Sequence, residues 1–220
     1  MNTDFSTTGF KFIGGSACLD FINTVEGRSS RQNKKGSSND HYITHRDKLT
    51  SYAGLAVWCQ HEETGLLTAK DAKLLLQLAK SHSRAAQAVF ERAIRLREAL
   101  YRIFKSVARG HKPNPADIEK LNEELIRARA HEKLVFSSGN FAATWEETDG
   151  NLEAPLWPVI RSAAELLTSD LSRLRQCGGE ECGWFFLDTS RNHSRQWCDM
   201  KDCGNLAKVR RFRQRQVGFQ

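Results

Sequence analysis

No stretch of this 220-residue chain approaches the roughly 20 apolar residues that a membrane span requires. The first fifteen residues carry neither a basic start nor a long apolar run, so no secretory leader is read and the cytoplasm is the expected compartment. The chain has no internal repeat of solenoid length. It also has no glycine-rich phosphate loop ahead of a helix, no nucleophile elbow and no His-Glu-x-x-His pair, so it is not read as an enzyme. Composition excludes a disordered chain, a coiled coil and a collagen-like repeat, because 40% of the residues are hydrophobic and 27% charged. A chain of this length buries roughly 70% of its unfolded surface, so its core needs no disulfides.

The charge is unevenly spread. The formal net charge is +7, and the last 16 residues hold Lys208, Arg210, Arg211, Arg213 and Arg215 with no acid, which leaves the preceding 204 at only +2. A basic end of this kind points to a polyanion, with nucleic acid the first candidate and a merely solvated tail the alternative.

Four of the six cysteines fall in two pairs, Cys177 with Cys182 and Cys198 with Cys203. Each pair has a four-residue spacer, and fifteen residues separate the pairs. In a reducing compartment such pairs are metal ligands rather than disulfides. Two short turns that aim two sulfurs each at one point make a tetrahedral S4 site, which selects one zinc ion, with an iron–sulfur cluster as second candidate. Four thiolates fill the coordination shell, so the metal's role is structural. Cys18 and Cys59 stand alone and read as small apolar core residues.

The rest of the chain divides by its periodicity. Residues 10–25 end in an apolar segment, and residues 27–40 are polar and read as an exposed loop. A helix is expected over 52–63, closed by Gly65, and another from the Thr68/Asp71 cap through Ala79. The strongest helical pattern runs over 85–108, with Val89, Ala93, Leu96, Leu100, Phe104 and Val107 at steps of three and four and Gly110 at the end. Asn114 caps a further helix, with Pro115 at its first position, running to about His131. Residues 134–137 and 141–147 flank Ser138, Gly139 and Asn140 and read as a β-hairpin. Trp157 and Pro158 open a helix through Leu167, and a shorter one is expected over 169–175. A strand over 183–189 lies between the cysteine pairs, and a helix over 204–216 follows the second pair. The expected fold is α+β: a helix-rich domain with a β-hairpin over residues 1–171, then a small treble-clef-like or ribbon-like zinc finger over 172–220.

On the last helix, at about 100° per residue, Leu206, Val209 and Phe212 share one side and are expected to anchor it to the finger. Lys208, Arg211 and Arg215 fall within about 60° of one another on the far side. Arg191 and Arg195 add charge in the loop between the pairs. Cations on a zinc scaffold reach phosphates and base edges. The alternative is a solvated face that offsets the charge of about −2 carried by zinc and four thiolates.

The segment from Cys177 to Arg215 resembles the CGNR-type zinc finger. The likeness rests on the two cysteine pairs, on residues 186–190 between them, on Arg195, Gln196 and Trp197 ahead of Cys198, and on Met200 with Cys203, Gly204 and Asn205. That finger's usual companion, the ABATE domain, is similar at Leu19 to Thr24, at Leu156 to Pro158 and at Glu165 to Ser169. The resemblance implies a bacterial stress-induced transcription regulator whose finger binds double-stranded DNA and whose N-terminal domain senses a small-molecule effector. One departure is plain: Leu206 stands where the family's eponymous arginine would be, so no role of that arginine transfers.

Asp20 and Asn23, inside the family-like element, either line a small-molecule pocket or cap and turn the chain. His41 and His45 are the only histidines at a spacing of four positions, and their neighbourhood supplies no further metal ligands. Trp58, Trp145 and Trp157 read as core. The reading is therefore a DNA-binding regulator. A protein-interaction adaptor with a purely structural zinc is the alternative, and a small-molecule-binding enzyme in the N-terminal domain is the third. One basic helix reads few bases, which favours a homodimer.

Overall fold

The computed structural model describes residues 9–28, 46–61, 63–64, 66–145 and 150–217. The first apolar segment forms a short helix, α1 (Ala17–Ile22), in which Cys18, Leu19, Phe21 and Ile22 are buried. Six residues are too few to stand as an isolated helix, so packing holds it. Two short strands, β1 (Val25–Glu26) and β2 (Arg46–Asp47), pair antiparallel. From residue 29 on, the polar loop expected between them lies outside the described residues, as do His41, His45 and Gly65.

Helix α2 (Tyr52–Gln60) stops three residues short of the expected end. Helix α3 (Ala69–Ser81) opens on the expected capping box: the Thr68 hydroxyl accepts from the Asp71 N–H, and the Asp71 carboxylate accepts from the Thr68 N–H. Helix α4 (Ser83–Ala108) carries the long apolar stripe, and Gly110, at φ +70°, takes the left-handed turn that ends it. Helix α5 (Pro115–Arg129) starts where the Asn114 side chain accepts from the Ala116 N–H.

Strands β3 (Glu132–Ser137) and β4 (Asn140–Trp145) form the expected hairpin, with Leu134 opposite Ala143 and Phe136 opposite Phe141. Ser138 and Gly139, at φ +52° and +83°, make the two-residue turn that the strands' twist favours. A single 3-10 turn (Ala154–Leu156) then leads into α6 (Trp157–Leu167).

The helix expected over 169–175 does not form. Asp170 caps one 3-10 turn (Leu171–Arg173), and the chain then extends as β5 (Leu174–Gln176) to pair with β6 (Phe185–Leu187). The pairing puts Leu174 opposite Leu187 and buries Leu174, a gain a solvated helical turn would not provide. A wide turn (Met200–Gly204) precedes the last helix, α7 (Asn205–Val217). The architecture is thus α+β, a helix-rich domain with a β-hairpin followed by a small cysteine finger. Its order of hairpin, turn and helix is the treble-clef-like one of the two alternatives.

Helix α4 is the axis of the core, packed by α1, α2, α3, α5 and β5. Trp58, Trp157, Phe21, Phe104 and Phe185 are fully buried around it. Its arginines tie in the polar segments. Arg97 forms a two-bond pair with Asp47 and also donates to the Thr24 hydroxyl. Glu98 accepts two bonds, at 2.6 and 2.7 Å, from the fully buried Arg28, which lies 4.1 Å over the Tyr101 ring. Burial works to raise the Glu98 carboxyl, but the hydrogen bonds and charges of Arg28 and Arg97 outweigh it and hold it below its ordinary range.

Asp20 behaves in the opposite way. Its Oδ1 accepts the Gly14 N–H at 2.7 Å, yet burial pushes the carboxyl up from 3.8 to about 6. The folded protein therefore holds this proton more tightly than the unfolded chain. The stability Asp20 contributes is whole below pH 4 and lost as pH rises through about 6. The difference in unfolding free energy between the parent and Asp20→Asn is expected to fall by roughly 2–3 kcal/mol over that window. Urea titrations of both proteins from pH 4 to 7 check this, and a flat difference would remove Asp20 as its source.

Candidate metal centre and nucleic-acid interface

The hairpin of β5 and β6 carries the first cysteine pair in its loop, and the Cys177 N–H donates to the Trp184 carbonyl at 2.8 Å to continue the ladder. The second pair flanks the wide turn ahead of α7. The Gly178 N–H donates to the Gln196 carbonyl at 2.9 Å and brings the two together. The four Sγ atoms lie within 4.8 Å of one another. Cys182 and Cys198 are 3.5 Å apart, and Cys198 and Cys203 3.6 Å. Sulfurs around a tetrahedral zinc at its usual bond length would be about 3.8 Å apart, whereas a disulfide needs about 2 Å. The donor set fits one structural zinc.

Neighbouring groups are arranged for thiolates. The Cys198 and Gly179 N–H groups donate to Cys177 Sγ at 3.2 and 3.4 Å. A Cβ on Gly179 would stand 3.1 Å from Cys182 Cβ and 3.2 Å from Cys203 Sγ, so any larger residue there would crowd the sulfurs. Without a cation the four thiols cannot ionise together. Hydrogen bonds from Cys182 and Cys198 pull the Cys177 thiol far down, donation to Cys177 pushes Cys182 and Cys198 up, and burial raises Cys203. A metal must displace these protons, so its affinity falls as pH falls. Cys18 and Cys59, by contrast, are fully buried in the main core, and burial raises both thiols.

Asp188 and Arg195 shape the stretch between the pairs. Buried Asp188 accepts from the N–H groups of Ser190 and Arg195 at 2.9 and 3.0 Å. The Arg195 guanidinium lies 4.3 Å over the Phe186 ring and donates to the carbonyls of Trp197 and Cys198. Sequence placed Arg195 among the outward cations; the structure shows it bracing the second cysteine turn. Arg191 is exposed on the same loop.

Helix α7 departs from its expected seating. Leu206, Val209 and Phe212 do not anchor it: they are 57%, 46% and 62% exposed. The helix leaves the cysteine turn in a register that sets Leu206, Ala207, Arg210, Arg211 and Gln214 along a cleft of about 570 Å³ that also includes Lys11, Glu26 and Trp184, and of these five only Ala207 and Arg210 are half-buried. Arg210 pairs there with Glu180 and Glu181 at 3.2 and 3.9 Å, so the inner face is of mixed charge. Lys208, Arg211, Arg213 and Arg215 are exposed and have no ion-pair partner among the described residues.

Asp20 and Asn23 lie elsewhere and line neither this cleft nor the one between α5 and α6. The Asn23 side chain clamps β6 instead: its Nδ2 donates to the Phe185 carbonyl at 2.8 Å, and its Oδ1 accepts the Phe185 N–H at 2.9 Å. Trp184 donates to the Val25 carbonyl at 2.6 Å alongside. Phe185 belongs to the main core, so the finger is built into the N-terminal domain. Gly183 holds this junction close: at φ +72°, a Cβ there would collide with the Arg28 carbonyl. No local pattern joins residues 162 apart, and the clamp had no signal in the sequence. Asn23→Ala would orphan both Phe185 groups in the core, and a loss of about 2 kcal/mol is expected in chemical denaturation, with zinc content unchanged. A loss under about 0.5 kcal/mol would show the clamp to be incidental.

The molecule is therefore a helix-rich domain fused to a four-cysteine zinc finger. Residues 173–216 match the CGNR zinc finger. Residues 15–170 match ABATE, described as "putative stress-induced transcription regulator", and the chain belongs to this family. No curated protein shows a significant match to the chain. Neither family description is of an enzyme. No described helix is long and apolar enough to cross a membrane.

Proposed function

We propose that this chain is a transcription regulator that binds double-stranded DNA through its zinc finger, with α7 supplying the phosphate contacts. The observation that carries the reading is the set of exposed cations Lys208, Arg211, Arg213 and Arg215, without ion-pair partners among the described residues, on one zinc-organised helix, with Arg191 on the loop before it. Arg210 is already paired with carboxylates, and the Arg195 guanidinium is held on two backbone carbonyls and the Phe186 ring, so both contribute less to phosphate binding than their charge suggests. The family description supports a regulator. The Asn23 clamp supports a coupling role for the family-like element, because it ties the residue after α1 to β6, which carries the cysteine hairpin.

The test is fluorescence anisotropy of a labelled random-sequence duplex at low salt, with zinc-loaded and chelator-treated full-length protein. Binding is expected only with zinc present. Equal binding without zinc, or none with it, would overturn the reading. A second reading, the protein-interaction adaptor, draws on the exposed Leu206, Val209 and Phe212, which are apolar surface that a protein partner would cover. In that case, removing the free cations would leave DNA binding as weak as before.

A further inference from the structure

Helix α7 is not the only place where apolar side chains face water. On the hairpin, the register puts Glu132 with Trp145, Leu134 with Ala143 and Phe136 with Phe141 on one face of the ribbon. Trp145 packs at its base against Trp157, with ring centroids 5.8 Å apart. Beyond it the face runs into solvent: Leu134, Phe136 and Phe141 are 73%, 66% and 74% exposed, and the two phenylalanine rings are 4.9 Å apart. A two-stranded ribbon is marginal by itself, and nothing in its own fold calls for three large apolar side chains in water. Beneath Trp145 the same surface continues into a cleft of about 580 Å³ between α5 and α6, floored by Leu121, Leu125, Leu167 and Leu171.

We propose that this arm and cleft form the surface on which a second copy of the chain docks about a two-fold axis, each copy laying Phe136 and Phe141 over the other's cleft. Charge selects this occupant. The chain is +7 overall, so two copies repel over most of their surface. The arm's tip, Ser137 to Asn140, is uncharged, and at the cleft's rim Arg129 and Arg161 balance Glu132 and Glu165. An acidic partner would be drawn to the basic helix rather than to this neutral patch. Area agrees. Two largely exposed rings at about 150 Å² each and a leucine bring roughly 400 Å² of apolar surface per arm. Two arms and the surfaces they cover come to about 1,600 Å², the size of a specific interface. The contact is isologous, with arm meeting cleft twice, and it closes at two copies. It needs no DNA, so it stands or fails apart from the function proposed above.

Sedimentation of the full-length, zinc-loaded protein at about 1 to 100 µM, without DNA, tests the surface. The parent is expected to pass from monomer to dimer within that range, and Phe136→Glu/Phe141→Glu to keep the monomer mass at every concentration. Val209→Glu/Phe212→Glu, on α7, is expected to dimerise like the parent. A parent that stays monomeric at about 100 µM, or an arm variant that still dimerises, overturns the proposal, and so does loss of the dimer in the α7 variant alone. Hydrogen exchange on the unaltered parent guards against a variant that misfolds. The amides of β3, β4 and α5 should slow between about 1 and 100 µM, and exchange there that ignores concentration overturns the proposal as well.

Discussion

Serine in place of Cys198 is expected to cost the protein its zinc and the ordered structure of the finger. Cys198 is almost fully buried, with its Sγ at 3.5 Å from Cys182 and 3.6 Å from Cys203, and its N–H donates to Cys177. Removing it leaves three sulfurs and a hydroxyl that binds zinc poorly. Among the described residues, the apolar cluster local to the finger is Cys177, Trp184, Phe186 and Cys198 with a few half-buried neighbours, too little to order these turns unaided. Structural zinc sites contribute on the order of 10 kcal/mol to the folding of such units. The purified variant should carry less than about a tenth of an equivalent of zinc and show altered fluorescence from Trp184 and Trp197. The main core, which includes Phe185, should still unfold cooperatively at a lower midpoint. Cys59→Ser, a change in the main core, should keep a full equivalent. A Cys198→Ser protein with stoichiometric zinc and unchanged finger fluorescence would contradict the assignment.

The second large effect concerns the free cations. Lys208→Ala, Arg211→Ala and Arg215→Ala together remove three exposed charges from one 60° strip of α7 and leave its helix propensity no worse. At physiological salt each lost phosphate contact lowers affinity about fivefold, so the triple variant should bind a random duplex on the order of 100-fold more weakly. Its zinc content should equal the parent's, which separates lost contact from lost fold. Arg210→Ala should cost less, because Glu180 and Glu181 already neutralise that guanidinium. Unchanged affinity in the triple variant would make the strip a solvated face and hand the finger to the adaptor reading.

What the sequence made legible was local. The Thr68/Asp71 box, the Asn114–Pro115 start and the stripe of α4 depend on neighbours three or four positions away, and each formed where the pattern put it. The cysteine spacing was legible for the same reason: two short turns can do little with four thiols except converge them. What failed depended on distant partners. Residues 174–176 have helical neighbours in sequence, but β6 offered a strand to pair with. The stripe of Leu206, Val209 and Phe212 has a sound amphipathic pattern, yet all three side chains stay exposed once the chain has folded. Arg195 reads as one more cation until Phe186 and the carbonyls of Trp197 and Cys198 are in place around it. The element Leu19 to Thr24 combines both kinds. Its apolar members stood out in the sequence as an apolar segment, while the work of Asn23 on Phe185 emerges only when the finger is folded back on α1.

If the zinc-fixed helix α7 meets DNA phosphates with its exposed cations, the salt dependence of binding will report each contact. Affinity of the zinc-loaded, full-length protein for one duplex should be measured from about 50 to 300 mM monovalent salt, alongside Arg211→Ala. With four or five phosphate contacts among Arg191, Lys208, Arg211, Arg213 and Arg215, the log–log slope should be near −4 for the parent and about −3 for the variant. A parent slope shallower than about −1, or one that Arg211→Ala leaves unchanged, would contradict these contacts.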